Sequence, residues 1–246
     1  MAAKLTFLGT GSNGGIPQID CRCPNCQKAT SPRHIRHRSS ILIEASDKKL
    51  LLDCGPDFKD QLEKQHLKTP DLNGIILSHL HWDHCAGLVD LSAGKPHGIN
   101  IFCHSKVRKS LLTNPFFSFL FPHFAKFSTL PKWLNLIPVK HDPNFFTCAL
   151  TINTSKKIFI ATDIWELTPQ AQKELSSSDV IIFDGTFLHR SAHWHMGIEK
   201  ACQILSQSTA QIWFTHINHS ENIHETKSFI SQFNFKLAHD NLTLEI

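Results

Sequence analysis

The seven residues Ser78-His79-Leu80-His81-Trp82-Asp83-His84 constrain this chain more than any other stretch. They put four side chains of metal-ligand type into six residues, directly after the apolar run Ile75–Leu77, which reads as a β-strand, and before the helix-like Cys85–Ser92. In an extended segment, residues two apart share a side, so His79 and His81 face the same way while Asp83 and His84 fall in the following turn. Two neighbouring cations can then each take a pair. Four donors at a strand-to-helix junction distinguish this run from an exposed loop that is merely rich in histidine.

Two pairs leave both cations short of ligands, so further donors are required at other strand ends. His141 follows the apolar Leu136–Val139, Asp163 follows Ile158–Ala161, and His216 follows Ile212–Phe214. Each stands at the carboxyl end of a strand, where α/β sheets place their sites. A carboxylate has two oxygens, so Asp163 can touch both ions, and an ion pair bridged in this way supplies the nucleophile of a hydrolase at neutral pH. Taken alone, each downstream residue would read as an ordinary hydrogen-bonded polar group. Beside the upstream run, and in a chain with 17 histidines, they read as a ligand set.

The rest of the chain supports a layered α/β scaffold. Apolar runs bounded by Gly, Pro or Asp at Leu5–Leu8, Ile41–Ala45, Leu50–Leu52, Ile75–Leu77, Ile101–Cys103, Ile158–Ala161, Val180–Phe183 and Ile212–Phe214 predict strands. Helical patterns lie between several of them, at Pro56–Gln65, Pro169–Leu175, Ile198–Ser206 and His224–Phe233. With 246 residues, 41% of them hydrophobic, the expectation is one domain spanning 1–246 with a substantial core. A net charge of +4 without any long basic block gives no argument for a nucleic-acid partner. No run of eighteen apolar residues and no signal-peptide pattern at residues 1–9 occur, so the expectation is a cytoplasmic protein with no membrane partner. Whether it forms a homodimer is left open. The stretch 114–127 carries six Phe and two Pro, and reads either as packing or as an apolar lid over a pocket lined by Phe117 and Phe121.

Leu52-Asp53-Cys54-Gly55, the His-x-His-x-Asp-His run, His141, Thr162-Asp163 and Thr215-His216 together resemble the successive motifs of the metallo-β-lactamase superfamily over nearly the whole chain. That resemblance implies an αββα sandwich of two mixed β-sheets flanked by helices. It implies His79, His81 and His141 on one metal, Asp83, His84 and His216 on the other, and Asp163 between them, with Asp83 and Asp163 serving catalysis. The metals would be zinc, manganese or iron. Asp53 would accept the outer N–H of a ligand histidine and fix its aim.

A second cluster, Cys21-Arg22-Cys23-Pro24-Asn25-Cys26, is a tight knuckle at about residues 20–27 of the kind that wraps a tetrahedral zinc. The fourth ligand is predicted to be His219, three residues after His216, and the other five cysteines read as buried thiols and not as a disulfide framework. Together with Thr215-His216-Ile217-Asn218-His219, this knuckle resembles the phosphonate-pathway cyclic phosphodiesterases of the superfamily. Gly14-Gly15-Ile16-Pro17-Gln18, Arg38-Ser39-Ser40, Pro56-Asp57-Phe58 and Phe183-Asp184-Gly185-Thr186-Phe187 resemble the pyrroloquinoline-quinone biosynthesis B proteins as closely. The intact ligand set favours hydrolysis of a small phosphodiester. His195, ahead of the helix Ile198–Ser206, resembles the helper histidine that would protonate the leaving group, with His193 as its substitute and Asp184 in support. Arg190 and Lys140 are phosphate-contact candidates that read more simply as surface charge. Competing readings are a tRNA 3′-processing nuclease, an accessory protein or oxygenase of quinone-cofactor assembly, and a thiol-ester or lactam hydrolase.

Overall fold

A computed structural model describes residues 2–31 and 34–246. The strands β1 (Ala3–Gly9), β2 (Ser40–Ala45), β3 (Lys48–Leu52), β4 (Gly74–Leu77), β5 (Ile99–Cys103) and β6 (Ala125–Phe127) form one sheet. The next six, β7 (Leu134–Val139), β8 (Thr147–Asn153), β9 (Lys157–Ala161), β10 (Val180–Asp184), β11 (Gln211–Thr215) and β12 (Lys236–Leu237), form a second. β13 (Thr243–Glu245) returns to the first sheet beside β1, giving the orders β13-β1-β2-β3-β4-β5-β6 and β12-β11-β10-β9-β8-β7. Both sheets are mixed: β3 to β6 and β9 to β12 run parallel, and the remaining pairs are antiparallel.

The period-two alternation of the apolar strands dictates the layering. On β10, Val180 and Ile182 enter the apolar cluster between the sheets, while Ile181 and Phe183 point outward into a second cluster. β9 repeats this with Ile158 and Ile160 inward and Phe159 and Ala161 outward. On β4, Ile76 faces the opposing sheet, and Ile75 and Leu77 face out. Each outer face needs its own cover. Leu62 of α2 (Phe58–Lys64), Val107 and Leu111 of α4 (Ser105–Thr113) and Phe117 of α5 (Pro115–Ser118) cover the first sheet. Ala171 and Leu175 of α6 (Pro169–Ser176), Ile198, Ala201 and Leu205 of α7 (Ile198–Leu205) and Ile230 of α8 (Ile223–Ser231) cover the second. The result is the expected αββα sandwich with three apolar interfaces. Full burial of one such Ile or Leu contributes about 1.5–3 kcal/mol.

Several expectations need correction. The helix-like Cys85–Ser92 is one α-turn, α3 (Trp82–Cys85), followed by a 3-10 segment at Ala86–Ala93. The tighter winding stacks residues three apart, which puts Leu88 and Leu91 together into the core. The helix expected from Pro56 starts at Phe58, because the Asp57 carboxylate is taken by the Arg38 backbone N–H and guanidinium at 2.7 and 2.9 Å. The strand β7 carries Pro138, which an edge strand of the sheet tolerates. The Phe-rich stretch packs: Phe117 and Leu120 are buried, and Phe121, Phe124 and Phe127 lie against the outer cluster of the first sheet. Phe121 and Phe127 stack with centroids 4.3 Å apart. None of them lines the cavity over the histidines, so the lid reading fails. Among the described residues no helix is long and apolar enough to cross a membrane.

Candidate metal centre

The predicted donors converge where strands of the two sheets end side by side. β4 ends at Leu77, the following loop carries Ser78, His79 and His81, and α3 carries Asp83 and His84. From the second sheet, β7 delivers His141, β9 Asp163 and β11 His216. Loop 53–55 closes against α3 so tightly that a Cβ on Gly55 would lie 2.1 Å from the Asp83 carbonyl oxygen, hence glycine there. The backbone N–H of Cys54 donates to the carbonyl of His84 at 2.7 Å.

Two donor groups result, each with ligand atoms within 4.8 Å of one another: His79, His81, His141 and Asp163, and beside them Asp83, His84 and His216. Asp163 faces both. Its Oδ2 is 3.1 Å from His84 Nε2, and its Oδ1 lies 3.4 Å from His216 Nε2 and 3.7 Å from His141 Nε2. His84 and His216 bring their Nε2 atoms within 3.3 Å of each other, and His81 Nδ1 sits 3.2 Å from His141 Nε2.

The outer nitrogens of these rings show why the inner ones crowd. Asp53 accepts from His84 Nδ1 at 2.8 Å, and Ser78 Oγ accepts from His79 Nδ1 at 2.9 Å while donating to Asp53 at 2.8 Å. The Trp194 carbonyl accepts from His141 Nδ1 at 2.8 Å, and Thr186 Oγ1 accepts from His216 Nδ1 at 2.9 Å. His81 is reversed, with Nε2 3.3 Å from Asp142 Oδ2 and Nδ1 turned inward. We assign each tautomer from these partners, which leaves every inner nitrogen a lone pair. His79 Nε2 and Asp163 Oδ2 are buried with no hydrogen-bond partner. Leaving such groups unmet costs about 1–3 kcal/mol each, and a cation would satisfy both. The residues therefore fit a pair of divalent metals.

Charge follows the same plan. Burial holds His79 well below the ordinary imidazole range and lowers His141, so both are neutral ligands. Burial resists ionisation of Asp163 and of His84. Yet Asp163, Asp83 and Asp53 hold His84 well above the imidazole range, and His216 and His84 hold Asp163 well below the carboxyl range, so a bound cation would take the place of the His84 proton. Burial opposes a charge on His195 as well, but Asp184, with Oδ2 at 2.6 Å from Nδ1, raises it to about 9. His195 also joins Asp163 and His216 in a donor cluster within 4.8 Å.

Asp184 organises this edge. It accepts from the backbone N–H of Ile164 at 3.0 Å, and from the backbone N–H and hydroxyl of Thr186 at 2.9 and 2.6 Å. Sequence reasoning missed Ser78, Asp142, Thr186 and the Trp194 carbonyl. Asp142 and Ser78 each adjoin a predicted ligand, and Thr186 lies two residues from Asp184, so the signal was proximity. Nothing in the sequence marks a carbonyl.

The knuckle also assembles. Cys21, Cys23 and Cys26 place Sγ 3.2, 3.6 and 3.8 Å from His219 Nδ1. Pro24 opens α1 (Pro24–Lys28), which carries Cys26, and Asn25 donates to the carbonyls of His219 and Glu221. Burial works against ionising Cys23, but hydrogen bonding from the Cys26 backbone and His219 lowers it to about 6, while burial pushes Cys26 up to about 11. These four atoms suit one tetrahedral zinc. All eight cysteines are free thiols.

A cavity of about 500 Å3 opens over the donors. Asp83, Asp163, His195 and His216 line it, and Ser12, Asn13, Trp82, Arg190, His193 and Asn218 contribute walls. Arg190 lies over the Phe187 ring at 4.3 Å and is exposed. His193 is exposed at the rim, so His195 is the better placed of the two helper candidates. Lys140 is outside this cavity, paired with Glu166 at 2.7 Å, which favours the surface reading.

Comparison with known proteins agrees with this geometry. A curated relative, coenzyme PQQ synthesis protein B of Methylococcus capsulatus (strain ATCC 33009 / NCIMB 11132 / Bath), is 26% identical over 236 residues, covering 79% of this chain and 77% of the relative. The crystal structure of a new diphosphatase from the PhnP family superposes with a TM-score of 0.82 at 23% identity, covering 99% of this chain and 98% of the other. Zn(2+)-bound PqqB from Methylobacterium extorquens also gives 0.82, at 21% identity, with 99% and 100% covered. Residues 48–217 match the model of the β-lactamase superfamily domain, which takes in both halves of the donor set, and this chain therefore belongs to that superfamily, with the metallo-β-lactamase fold.

Proposed function

We propose that this chain is a metal-dependent hydrolase that cleaves a small phosphodiester. The observation that carries the reading is the completeness of the donor set. Five imidazoles have their outer N–H tied to an acceptor and their inner lone pair free, and Asp163 turns to both groups. Two divalent ions, held by His79, His81, His141 and Asp163 and by Asp83, His84, His216 and Asp163, would supply a nucleophile and neutralise phosphoryl oxygens.

The chain's own residues provide the rest. His195, charged through its bond to Asp184, stands among the donors and can give a proton to the departing alkoxide. Asp184 also keeps the Thr186 hydroxyl in place, so the proton donor and the His216 ligand are held by one carboxylate. The half-buried His81 keeps its aim through Asp142. Cys21, Cys23, Cys26 and His219 would hold a structural zinc, and the loop carrying His219 forms part of the cavity wall. Eight free thiols suit a reducing compartment such as the cytoplasm.

The test is metal content of the purified protein together with hydrolysis of bis-p-nitrophenyl phosphate. The expected result is about three metals per chain, and Asp163→Ala should lose the paired metals and on the order of 10³-fold in rate, the scale of several kcal/mol of lost charge stabilisation. One zinc and no hydrolysis after added metal would overturn the reading in favour of an accessory role in quinone-cofactor assembly, which the 26% identity to PQQ synthesis protein B supports. A steep fall of activity on RNA with salt would instead mark a tRNA-processing nuclease.

A further inference from the structure

A second groove runs along the other side of His141. It measures about 780 Å3 and lies between α4, the loop 142–147 and the residues Trp165 and Trp194. His141 and Asp142 belong to its lining, so it shares a wall with the metal centre. Trp194 is the partition: its carbonyl holds His141 Nδ1, while its indole, 45% exposed, lines the groove. Trp194 and His193 adopt φ of 65° and 49°, a left-handed conformation that non-glycine residues enter at a cost of about 1–3 kcal/mol each. Such consecutive strain persists only where the surroundings enforce it, and here it sets the ring beside Trp165, with centroids 6.0 Å apart and planes at 74°.

The groove carries a positive excess, with Lys106, Lys109 and Lys140 set against Asp142 and Glu166. Lys106 and Lys109 of α4 line it, and among the described residues neither has a carboxylate partner; Lys106 lies over the Phe146 ring at 4.6 Å. Of the two acids in the lining, Glu166 pairs with Lys140, and Asp142 accepts from the neutral His81 ring and keeps its charge. Phe145, 37% exposed, adds a third aromatic side chain beside His81, with ring centroids 4.5 Å apart. Exposed aromatic faces stack neutral bases, and neighbouring lysines attract the phosphates joined to them, as in grooves that accept nucleotides.

We propose that this groove is the subsite for the organic half of the substrate, and that it takes an uncharged aromatic base joined to an anionic phosphate, of the nucleotide kind. The assignment of that ligand to the substrate rests on the phosphodiesterase reading, but binding in the groove can be measured without turnover.

The experiment is titration of the isolated metal-loaded protein by calorimetry and tryptophan fluorescence, with adenosine 5′-monophosphate, adenosine and benzene-1,3,5-tricarboxylate as probes. The nucleotide should bind at least tenfold more tightly than adenosine. Trp165→Leu should weaken it about tenfold or more, within the range of one lost stacking contact. Lys106→Gln with Lys109→Gln, both exposed positions that leave the core intact, should weaken the nucleotide severalfold, leave adenosine unchanged and flatten the salt dependence. A tricarboxylate that binds as tightly as the nucleotide would move the source to aromatic polycarboxylates and overturn the nucleotide assignment. Nucleotide affinity unaltered in both variants would overturn the groove itself. If the wild type fails to hydrolyse bis-p-nitrophenyl phosphate while the groove variants still lose nucleotide binding, the catalytic reading falls and the groove stands.

Discussion

The paired-metal centre and the cysteine knuckle share one loop, yet are built on opposite principles. The centre draws donors from four places in the chain and two sheets, buries nearly all of them, and gives each ring an outer partner. The knuckle takes three thiols from six residues, leaves two half-exposed, and relies on His219 and Asn25 to close it. In the first case the fold organises the donors before any cation arrives. In the second, a short loop brings Cys21, Cys23 and Cys26 to His219 with few supporting contacts beyond those of Asn25. The difference teaches that one scaffold can set a donor group held by many outer contacts three residues from one held by few.

Asp53→Asn attacks the preassembly most directly, since Asp53 orients His84 and, through Ser78, His79. Metal affinity at the centre should fall about 10–100-fold, with the zinc of the knuckle retained, as read by metal competition. Equal loss from both sites would break the comparison. Thr186→Val removes the hydroxyl that joins His216 to Asp184 and should cost about 0.5–1.5 kcal/mol in metal binding or transition-state stabilisation, at most roughly tenfold in kcat/KM. A loss as deep as that of Asp163→Ala would make Thr186 a participant and not a support. Cys23→Ser should release one zinc per chain and lower Tm by several degrees, while changing kcat of the small substrate less than about twofold, since His216 is anchored by Thr186 and not by the knuckle. Loss of the paired metals in that variant would show that the knuckle organises both.

Much of this was legible beforehand because the ligands come in dense local runs. Four donors in six residues, a Cys-x-Cys-x2-Cys spacing and strand ends marked by Asp or His need no tertiary knowledge. The strands of the second sheet were harder. β8 (Thr147–Asn153) mixes Thr and Asn among its apolar residues, and Thr147 and Thr151 are nevertheless buried. β6, β12 and β13 span two or three residues each, too short for any period to show. Asp142 escaped notice because a carboxylate beside a ligand reads as loop until His81 is brought to it from 61 residues away. The Phe-rich stretch left packing and lid both open, since abundance of apolar surface says nothing about which face of a sheet it will cover. Residues that act through a backbone atom, as Trp194 does toward His141, leave no side-chain signature at all.

The backbone at two of the site positions sets a limit on redesign. Asp53 and His216 each leave a parallel strand with φ of 61°. A chain recruited for a softer or harder cation would ordinarily be varied across every ligand and supporting position, but at these two the alphabet is short. Val, Ile and Thr are refused by their own Cβ branching whatever their chemistry, and Asn, Asp, His and Gly are the residues that accept the turn. Directed evolution of this scaffold toward a new metal would therefore find its freedom at His81 and Asp83, whose backbones are unstrained, and meet a wall at the two sharp exits.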